Sequence, residues 1–343
     1  MGGYNVAVVG VTGMVGQMFI NVLRERNFPV KNWKLLASAR SADKKINIEG
    51  KDYAIEEAAP QAFEGIDFAF FSAGGDVSKE LAPEAVKKGA LVVDNSSAFR
   101  MDEDVPLVVP EVNPQAASNH KGLIANPNCS TIQMVVALQP LHREAGLKRV
   151  VVSTYQSVSG SGKEAVDELA EQSRAVLNNE EPTKKNIPYK GAKKNHQIAF
   201  NMVPHLDEFE EDDYTKEEMK MIRETRKIMG IPELPLTATT VRVPVFNGHS
   251  EALTVELNSP FSPQEAREAF SKEKGIVVMD DPSELLYPMP VLTEGRDEVY
   301  VGRIRYDRSV PYGLNLWVVA DNIRKGAATN SVQIAELFIE RQS

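Results

Sequence analysis

The chain has 343 residues, with 39 Lys plus Arg against 48 Asp plus Glu and a net charge of −9; 42% of residues are hydrophobic and 25% charged, a globular composition that excludes wholesale disorder. At roughly 100–200 residues per domain, that length implies about two domains. The acidic balance argues against a general nucleic-acid binder, which needs clustered Lys and Arg, and a single cysteine, Cys129, excludes an intramolecular disulfide or cysteine-cluster metal site and fits a reducing compartment.

Residues 4–9 (YNVAVV) form a short apolar run, as expected of a strand covered on both faces. Gly10-Val-Thr-Gly13-Met-Val-Gly16 follows, and Val15, Phe19, Val22 and Leu23 then recur at helical spacing. A second strand over 33–37 completes a strand–glycine turn–helix–strand unit. The alternation continues through a strand at 67–72, a helix at 77–88 and strands at 90–95 and 122–126. This pattern predicts a mostly parallel, doubly wound sheet of Rossmann type over residues 1–130.

Beyond residue 130 the pattern changes. An apolar helix over 131–139 leads to a strand at 149–155 and a long polar helix near 162–178. A charged, loop-like stretch occupies 179–220, and strands are expected at 236–245, 251–257, 299–306 and 313–320. Successive strands with few helices between them predict an α+β domain over 131–321. A final amphipathic helix within 322–343, read over 326–341, is expected to return to the first domain. No run reaches the ~18 apolar residues of a membrane span. The start, Met1-Gly-Gly-Tyr-Asn-Val6, shows no basic leader or cleavage signal, so a soluble cytoplasmic protein is the expectation.

Glycines at a strand-to-helix turn let the backbone approach a pyrophosphate at a positively polarised helix end. Gly10, Gly13 and Gly16 are spaced G-x-x-G-x-x-G, a departure from the usual G-x-G-x-x-G; a tight turn that binds nothing is the alternative. The second strand ends Leu36-Ala-Ser38-Ala-Arg40-Ser41, with no carboxylate for a ribose hydroxyl until Asp43. A nearby Arg accommodates a 2′-phosphate, so NADP is favoured over NAD.

Cys129 lies in Asn126-Pro-Asn128-Cys129-Ser130-Thr131, just ahead of a helical run. There the helix macrodipole favours thiolate and marks Cys129 as a candidate nucleophile rather than a small buried hydrophobe. In Arg242-Val-Pro-Val-Phe-Asn-Gly-His249, Arg242 falls in a strand and His249 at a glycine-containing turn. Arg suits a carboxylate and His a proton transfer, although either residue alone is commonly structural.

Together, Gly10-x-Thr-Gly13-Met-Val-Gly16, Asn95-Ser-Ser-Ala-Phe-Arg100, Asn126-Pro-Asn-Cys129-Ser-Thr131, Gln156-x-x-Ser159-Gly160, Arg242 and His249 make the chain resemble the bacterial aspartate-semialdehyde dehydrogenase family over essentially its whole length. The resemblance implies Cys129 as acyl-thioester nucleophile, His249 as general acid/base and Gln156 as the residue orienting thiol and substrate. It implies Arg242 as clamp on the substrate α-carboxylate, Arg100 and Lys220 as phosphate-binding cations, and Glu217 as contact for the α-amino group, with Glu218 adjacent; Asn128 joins the substrate set. Gly10, Thr12, Gly13, Met14, Val15, Gly16, Ser38, Ala39, Arg40 and Ser41 are the implied cofactor residues, with Ser159, Gly160 and Asn322 near the nicotinamide.

The implied activity is NADPH-dependent, reversible reductive dephosphorylation of L-aspartyl-4-phosphate to L-aspartate-4-semialdehyde, in lysine/diaminopimelate, threonine and methionine biosynthesis. An imidazolium of His249 is expected to pair with the Cys129 thiolate. A homodimer is implied; no metal, nucleic-acid or membrane partner is. N-acetyl-γ-glutamyl-phosphate reductase would present Pro-Gly-Cys-Tyr-Pro-Thr around the cysteine, and glyceraldehyde-3-phosphate dehydrogenase Ser-Cys-Thr-Thr-Asn-Cys; neither stretch is here. A non-catalytic NADP-binding paralogue would be expected to lack Cys129 or His249. Residues 207–218 carry eight acids and one lysine, so most of the net charge belongs to one segment and says little about a site built on Arg100, Lys220 and Arg242.

Overall fold

The computed structural model describes residues 3–339. The chain divides into two compact units, one of residues up to Asn128 together with those from Ala327 onward, the other Cys129–Gly326. Among the described residues no helix is long and apolar enough to cross a membrane.

In the first unit, strands β1 (Tyr4–Val9), β2 (Val30–Ala37), β3 (Lys45–Ile48), β4 (Lys51–Glu57), β5 (Phe68–Phe71), β6 (Leu91–Asp94) and β7 (Leu123–Ala125) form a seven-stranded sheet in the order β3-β4-β2-β1-β5-β6-β7. All neighbours are parallel except β3 and β4, a hairpin whose polar alternation hid it from a reading based on apolar runs. Helices α1 (Met14–Glu25) and α2 (Gly75–Lys87) cross between strands. The central strands are buried on both faces, as covered parallel strands must be. Phe19 and Leu23 of α1 pack on Val6, Val8 and Phe70 on one side of the sheet. Each such side chain contributes ~1.5–3 kcal/mol when fully buried.

The C-terminal helix begins as a π-helical turn, Arg324–Ala328, and continues as Thr329–Ile339, three residues later than expected at its α-helical start. Positions 340–343 of that expectation, like Met1 and Gly2, lie outside the described residues. Its Val332, Ile334 and Ala335 enter the same core as Phe19, and Arg26 of α1 donates from Nε and Nη2 to the two carboxylate oxygens of Glu336 at 2.8 and 2.6 Å.

In the second unit, α3 (Cys129–Ala145), β8 (Leu147–Gln156), α4 (Lys163–Leu177), α5 (Lys216–Met229), β9 (Leu236–Arg242), β10 (His249–Leu257), α6 (Pro263–Ser271), β11 (Ile276–Val278), β12 (Val299–Asp307) and β13 (Gly313–Ala320) follow in chain order. The sheet is mixed, in the order β11-β12-β13-β10-β8-β9. The apolar helix α3 is buried along nearly its whole length because it lies against β10, β8 and β13.

Two expectations need correction here. The loop-like reading of 179–220 ends too late, because α5 starts at Lys216 behind an N-cap Thr215 whose capping box uses Glu218. The preceding stretch is irregular yet pinned: Glu168 of α4 accepts from the Lys185 and Asn186 amides, each at 2.9 Å, and Gln172 from the Ile198 amide at 2.8 Å. His249, expected in a turn, is the first residue of β10. The turn is Phe246–Gly248, where Gly248 takes φ +86°.

Candidate active site

Strand register assembles the second unit's site. Gln156, last in β8, pairs with Arg242, last in β9. On the other side of β8, Ser250 pairs with Tyr155, so one step further His249 stands opposite Gln156. Residues paired across strands point to the same face. Arg242, Gln156 and His249 therefore form a row, although 86 positions separate Gln156 from Arg242 in sequence numbering. Cys129, half-buried, heads α3, which packs on this sheet. Burial lowers the pKa of the Arg242 guanidinium, opposed first by the Glu217 carboxylate and then by Cys129.

Arg242 is 5% exposed. Its Nη1 donates to the Ser157 carbonyl at 2.7 Å and its Nη2 to Ser161 Oγ at 2.8 Å. Among the described residues, buried Nε makes no hydrogen bond, which leaves one edge of the guanidinium for an anionic ligand. Gln156 donates from Nε2 to Thr154 Oγ1 at 3.3 Å and to Glu217 Oε1 at 3.2 Å.

His249 is fully buried. Burial, and next the Arg242 charge, push its pKa down to about 3, against the weaker pull of Glu217 and the Gly248 carbonyl. The expected imidazolium–thiolate pair is thus corrected: the imidazole is neutral, and the fixed positive charge near the thiol belongs to Arg242. The Ser157 amide donates to Nδ1 at 3.1 Å. Since an amide can only donate, Nδ1 is the acceptor and Nε2 carries the ring proton. Nε2 is buried and makes no hydrogen bond among the described residues.

The adjacent carboxylates separate by role. Glu218 Oε2 accepts from the Thr215 amide at 2.8 Å and Oε1 from the Thr240 amide at 3.0 Å, so it ties α5 to β9. Glu217 faces Gln156, and its Oε2 accepts from Lys220 at 3.3 Å. Lys220 also donates to Asp207 at 2.8 Å.

Asn322 is 2% exposed and its Oδ1 accepts from Ser157 Oγ, Ser159 Oγ and the Gly248 amide at 3.1, 3.2 and 2.9 Å. It braces the loop behind the imidazole. A Cβ at Gly160 would sit 3.1 Å from Arg242 Nη1 and 3.1 Å from His249 Nε2, so both groups converge on the space this glycine leaves open.

The first unit carries the glycine turn. Gly10 takes φ +85°, and a Cβ there would lie 2.3 Å from the Ser72 carbonyl oxygen; at Gly16 it would lie 2.2 Å from the Gly10 carbonyl oxygen. Only glycine permits both approaches. A cavity of about 450 Å³ opens beside them, lined by Gly10, Thr12, Gly13, Ser38 and Ala39 among others. The α1 N-cap, Gly13, makes no side-chain cap bond and the first turn holds no acid, leaving its N–H groups directed at an anion. The cavity and cradle fit a dinucleotide. Met14, Val15, Gly16, Arg40 and Ser41 do not line the cavity; Gly16 is buried in the turn, and Arg40 is exposed on a one-turn helix after β2. Arg100, also in this unit and 7% exposed, donates to the carbonyls of Asn126 and Asn95, each at 2.9 Å. Asn128 is buried directly ahead of α3.

Reasoning from sequence missed Ser157, which sets the tautomer of His249, as well as Asn247, Gln133 and Gly326. Only Gly326 carried a signal, as a glycine inside a helical run. It also missed Glu57 and Glu80, two carboxylates in the dinucleotide cavity that no apolar period marks.

Two family models match the chain: semialdehyde dehydrogenase, NAD binding domain, over residues 5–120, and semialdehyde dehydrogenase, dimerisation domain, over 138–325. An aspartate-semialdehyde dehydrogenase of Aquifex aeolicus is 56% identical over 342 residues, 98% of each chain. The crystal structure of aspartate semialdehyde dehydrogenase II of Vibrio cholerae complexed with ASA superposes with a TM-score of 0.93 at 46% identity, covering 98% of both chains. That of the Candida albicans enzyme with NADP does so with 0.74 at 27% identity, again covering 98% of both. With both units matched and the relatives aligned end to end, the chain belongs to the aspartate-semialdehyde dehydrogenase family.

Proposed function

We propose that the protein catalyses the reversible, NADPH-dependent reductive dephosphorylation of L-aspartyl-4-phosphate to L-aspartate-4-semialdehyde through a thioester on Cys129, serving lysine/diaminopimelate, threonine and methionine biosynthesis. The observation that carries this reading is the cross-strand row of Arg242, Gln156 and His249 on the sheet against which the helix headed by Cys129 packs. The ASA bound to the Vibrio relative and the NADP bound to the Candida relative support the substrate and cofactor.

The Cys129 sulfur forms its bond to the acyl carbon as a thiolate, and the bond from that carbon to the phosphate oxygen breaks, with the electron pair leaving on phosphate. Arg242 holds the α-carboxylate through its open edge, and Glu217 the α-amino group. Gln156, fixed by Thr154 and Glu217, orients the substrate at the sulfur, and Asn128 is a further residue proposed for the substrate. Arg100 and Lys220 are the cations proposed for the phosphate. Bound in the cradle of Gly10, Thr12, Gly13, Ser38 and Ala39, NADPH supplies the hydride that reduces the acyl group, and Arg40 and Ser41 are proposed for its 2′-phosphate. When the carbon–sulfur bond breaks, the electron pair returns to Cys129, which leaves as it entered, a thiolate. His249 therefore needs no net proton change in the cycle. It holds its proton at Nε2 and stabilises negative charge on the sulfur or the carbonyl oxygen, while the α3 N–H groups polarise the same oxygen. A homodimer, supported by the dimerisation-domain match, is the proposed assembly, and the cytoplasm the proposed location.

Cys129→Ala tests the reading. Phosphate-dependent reduction of NADP with aspartate semialdehyde should vanish, together with the acyl adduct seen by intact mass in the wild type. Residual turnover at the wild-type rate would sink it.

A further inference from the structure

Beneath the Arg242–Gln156–His249 row the register sets a second: Thr240 pairs with Thr154, and Thr154 with Glu251. All three are fully buried. The reaction proposed above makes no use of Glu251. Among the described residues, neither of its carboxyl oxygens completes a hydrogen bond, and neither does Gln133 Oε1. Burial raises the pKa of this carboxyl, and the Gln133 side chain on α3 opposes that rise. The same amide donates from Nε2 to the backbone carbonyl of His249 at 3.3 Å.

We propose that Glu251 is a positioning residue: through the Gln133 side-chain oxygen its carboxyl holds that amide on the His249 carbonyl and so fixes the point on β10 from which the imidazole works. The inference rests on the role given to His249 above. A single proton accounts for two of the three unsatisfied atoms, one Glu251 oxygen and Gln133 Oε1. A protonated carboxyl donates its O–H to Gln133 Oε1, and the amide N–H of Gln133 remains with the His249 carbonyl. Burial drives the Glu251 pKa well above the carboxylate range, opposed by the Gln133 amide. On the same face of the sheet, one row on, stand His249 of β10 and Arg242 of β9, and β13 presents Val318 opposite Glu251. Burial therefore favours the neutral acid.

The test compares Glu251→Gln, Glu251→Met and Gln133→Leu in the full-length enzyme. Gln keeps both a donor and an acceptor, so Glu251→Gln should retain kcat within about twofold, whereas Glu251→Met should lower kcat about tenfold at unchanged KM. Gln133→Leu should reproduce that loss, and the Met/Leu double variant should lose no more than either single one. Because a raised pKa costs stability as pH climbs above the unfolded value, Glu251→Gln should gain Tm over the wild type from pH 5 to pH 8. A Glu251→Met or Gln133→Leu enzyme with full kcat, or a Glu251→Gln enzyme as impaired as the Met variant, would overturn the proposal. Cys129→Ala run alongside separates the two failures: retained turnover there indicts the reaction itself, whereas with turnover lost there the Glu251 and Gln133 variants alone decide the role of Glu251.

Discussion

Gly326, in the π-helical turn that follows β13, lies against Cys129: a Cβ on Gly326 would stand 2.8 Å from Cys129 Cβ and 3.2 Å from its Cα. The turn is anchored by a hydrogen bond from the Gly326 amide to the Asp321 carbonyl at 3.1 Å. Such π-turns recur where a helix must carry its backbone past a functional group. Both obstructing atoms belong to the first residue of α3, where neither can swing away. A methyl group at 326 must therefore displace Cys129.

Gly326→Ala should lower kcat about 100-fold, the scale of a misplacement near 1 Å, and should change the rate at which iodoacetamide alkylates Cys129. Binding of NADP should be unaffected. Wild-type kcat in a folded Gly326→Ala enzyme would mean that the site tolerates the shift.

How much of this was legible in the sequence depends on whether a feature is local. Cys129 could be read because capping residues and an apolar run flank it, and Gly10 because a tight turn needs a particular residue type at one position. The β3–β4 hairpin was missed because its strands alternate polar and apolar residues at a sheet edge, and the start of α5 lay within the loop-like stretch because Thr215 and Glu218 sit in an acidic run. The row of Arg242, Gln156 and His249 is invisible in the chain order, since only the pairing of β9, β8 and β10 creates it. The charge state of His249 was misjudged for a related reason. Context from sequence promised a neighbouring thiolate, whereas the fold supplied complete burial and a guanidinium.

That charge state can be measured. With the ring nitrogens of His249 labelled with ¹⁵N, spectra of the free enzyme at pH 6 should show the neutral tautomer with its proton on Nε2. Stability follows the same sign. The folded pKa is near 3 and the unfolded pKa 6.5, so the unfolded chain binds the extra proton between them. The His249 contribution is complete above pH 6.5 and falls by ~1.4 kcal/mol per pH unit below it. His249→Asn should flatten that part of the stability curve. An imidazolium signal at pH 6 would refute the assignment.

Glu217 and Glu218 should behave as different kinds of residue. Glu218→Ala removes half of a capping box and leaves the Thr240 amide without its acceptor, at a cost of about 1–3 kcal/mol. It should lower Tm while KM changes little. Glu217→Gln keeps an acceptor for Gln156 but loses the charge proposed to hold the substrate amino group, so KM for aspartate semialdehyde should rise about tenfold with Tm nearly unchanged. Calorimetry and steady-state kinetics on the pair decide it, and the opposite pattern would exchange their roles.

Cofactor choice should rest on Arg40. It follows Ser38 and Ala39, which line the dinucleotide cavity, and that cavity already holds the carboxylates of Glu57 and Glu80. A 2′-phosphate brought toward two carboxylates is repelled unless a cation stands close to it, and the exposed Arg40 is the cation at the end of β2. A charge-assisted hydrogen bond of about 1.5–3 kcal/mol corresponds to a 10- to 100-fold change in affinity. Arg40→Ala should therefore raise KM for NADP by that factor and leave KM for NAD within about twofold. The Glu57→Gln enzyme should shift the other way and bind NADP more tightly, because it loses repulsion rather than attraction. Equal losses for both cofactors in Arg40→Ala would show that Arg40 supports the fold of the β2 turn and takes no part in selecting the phosphate.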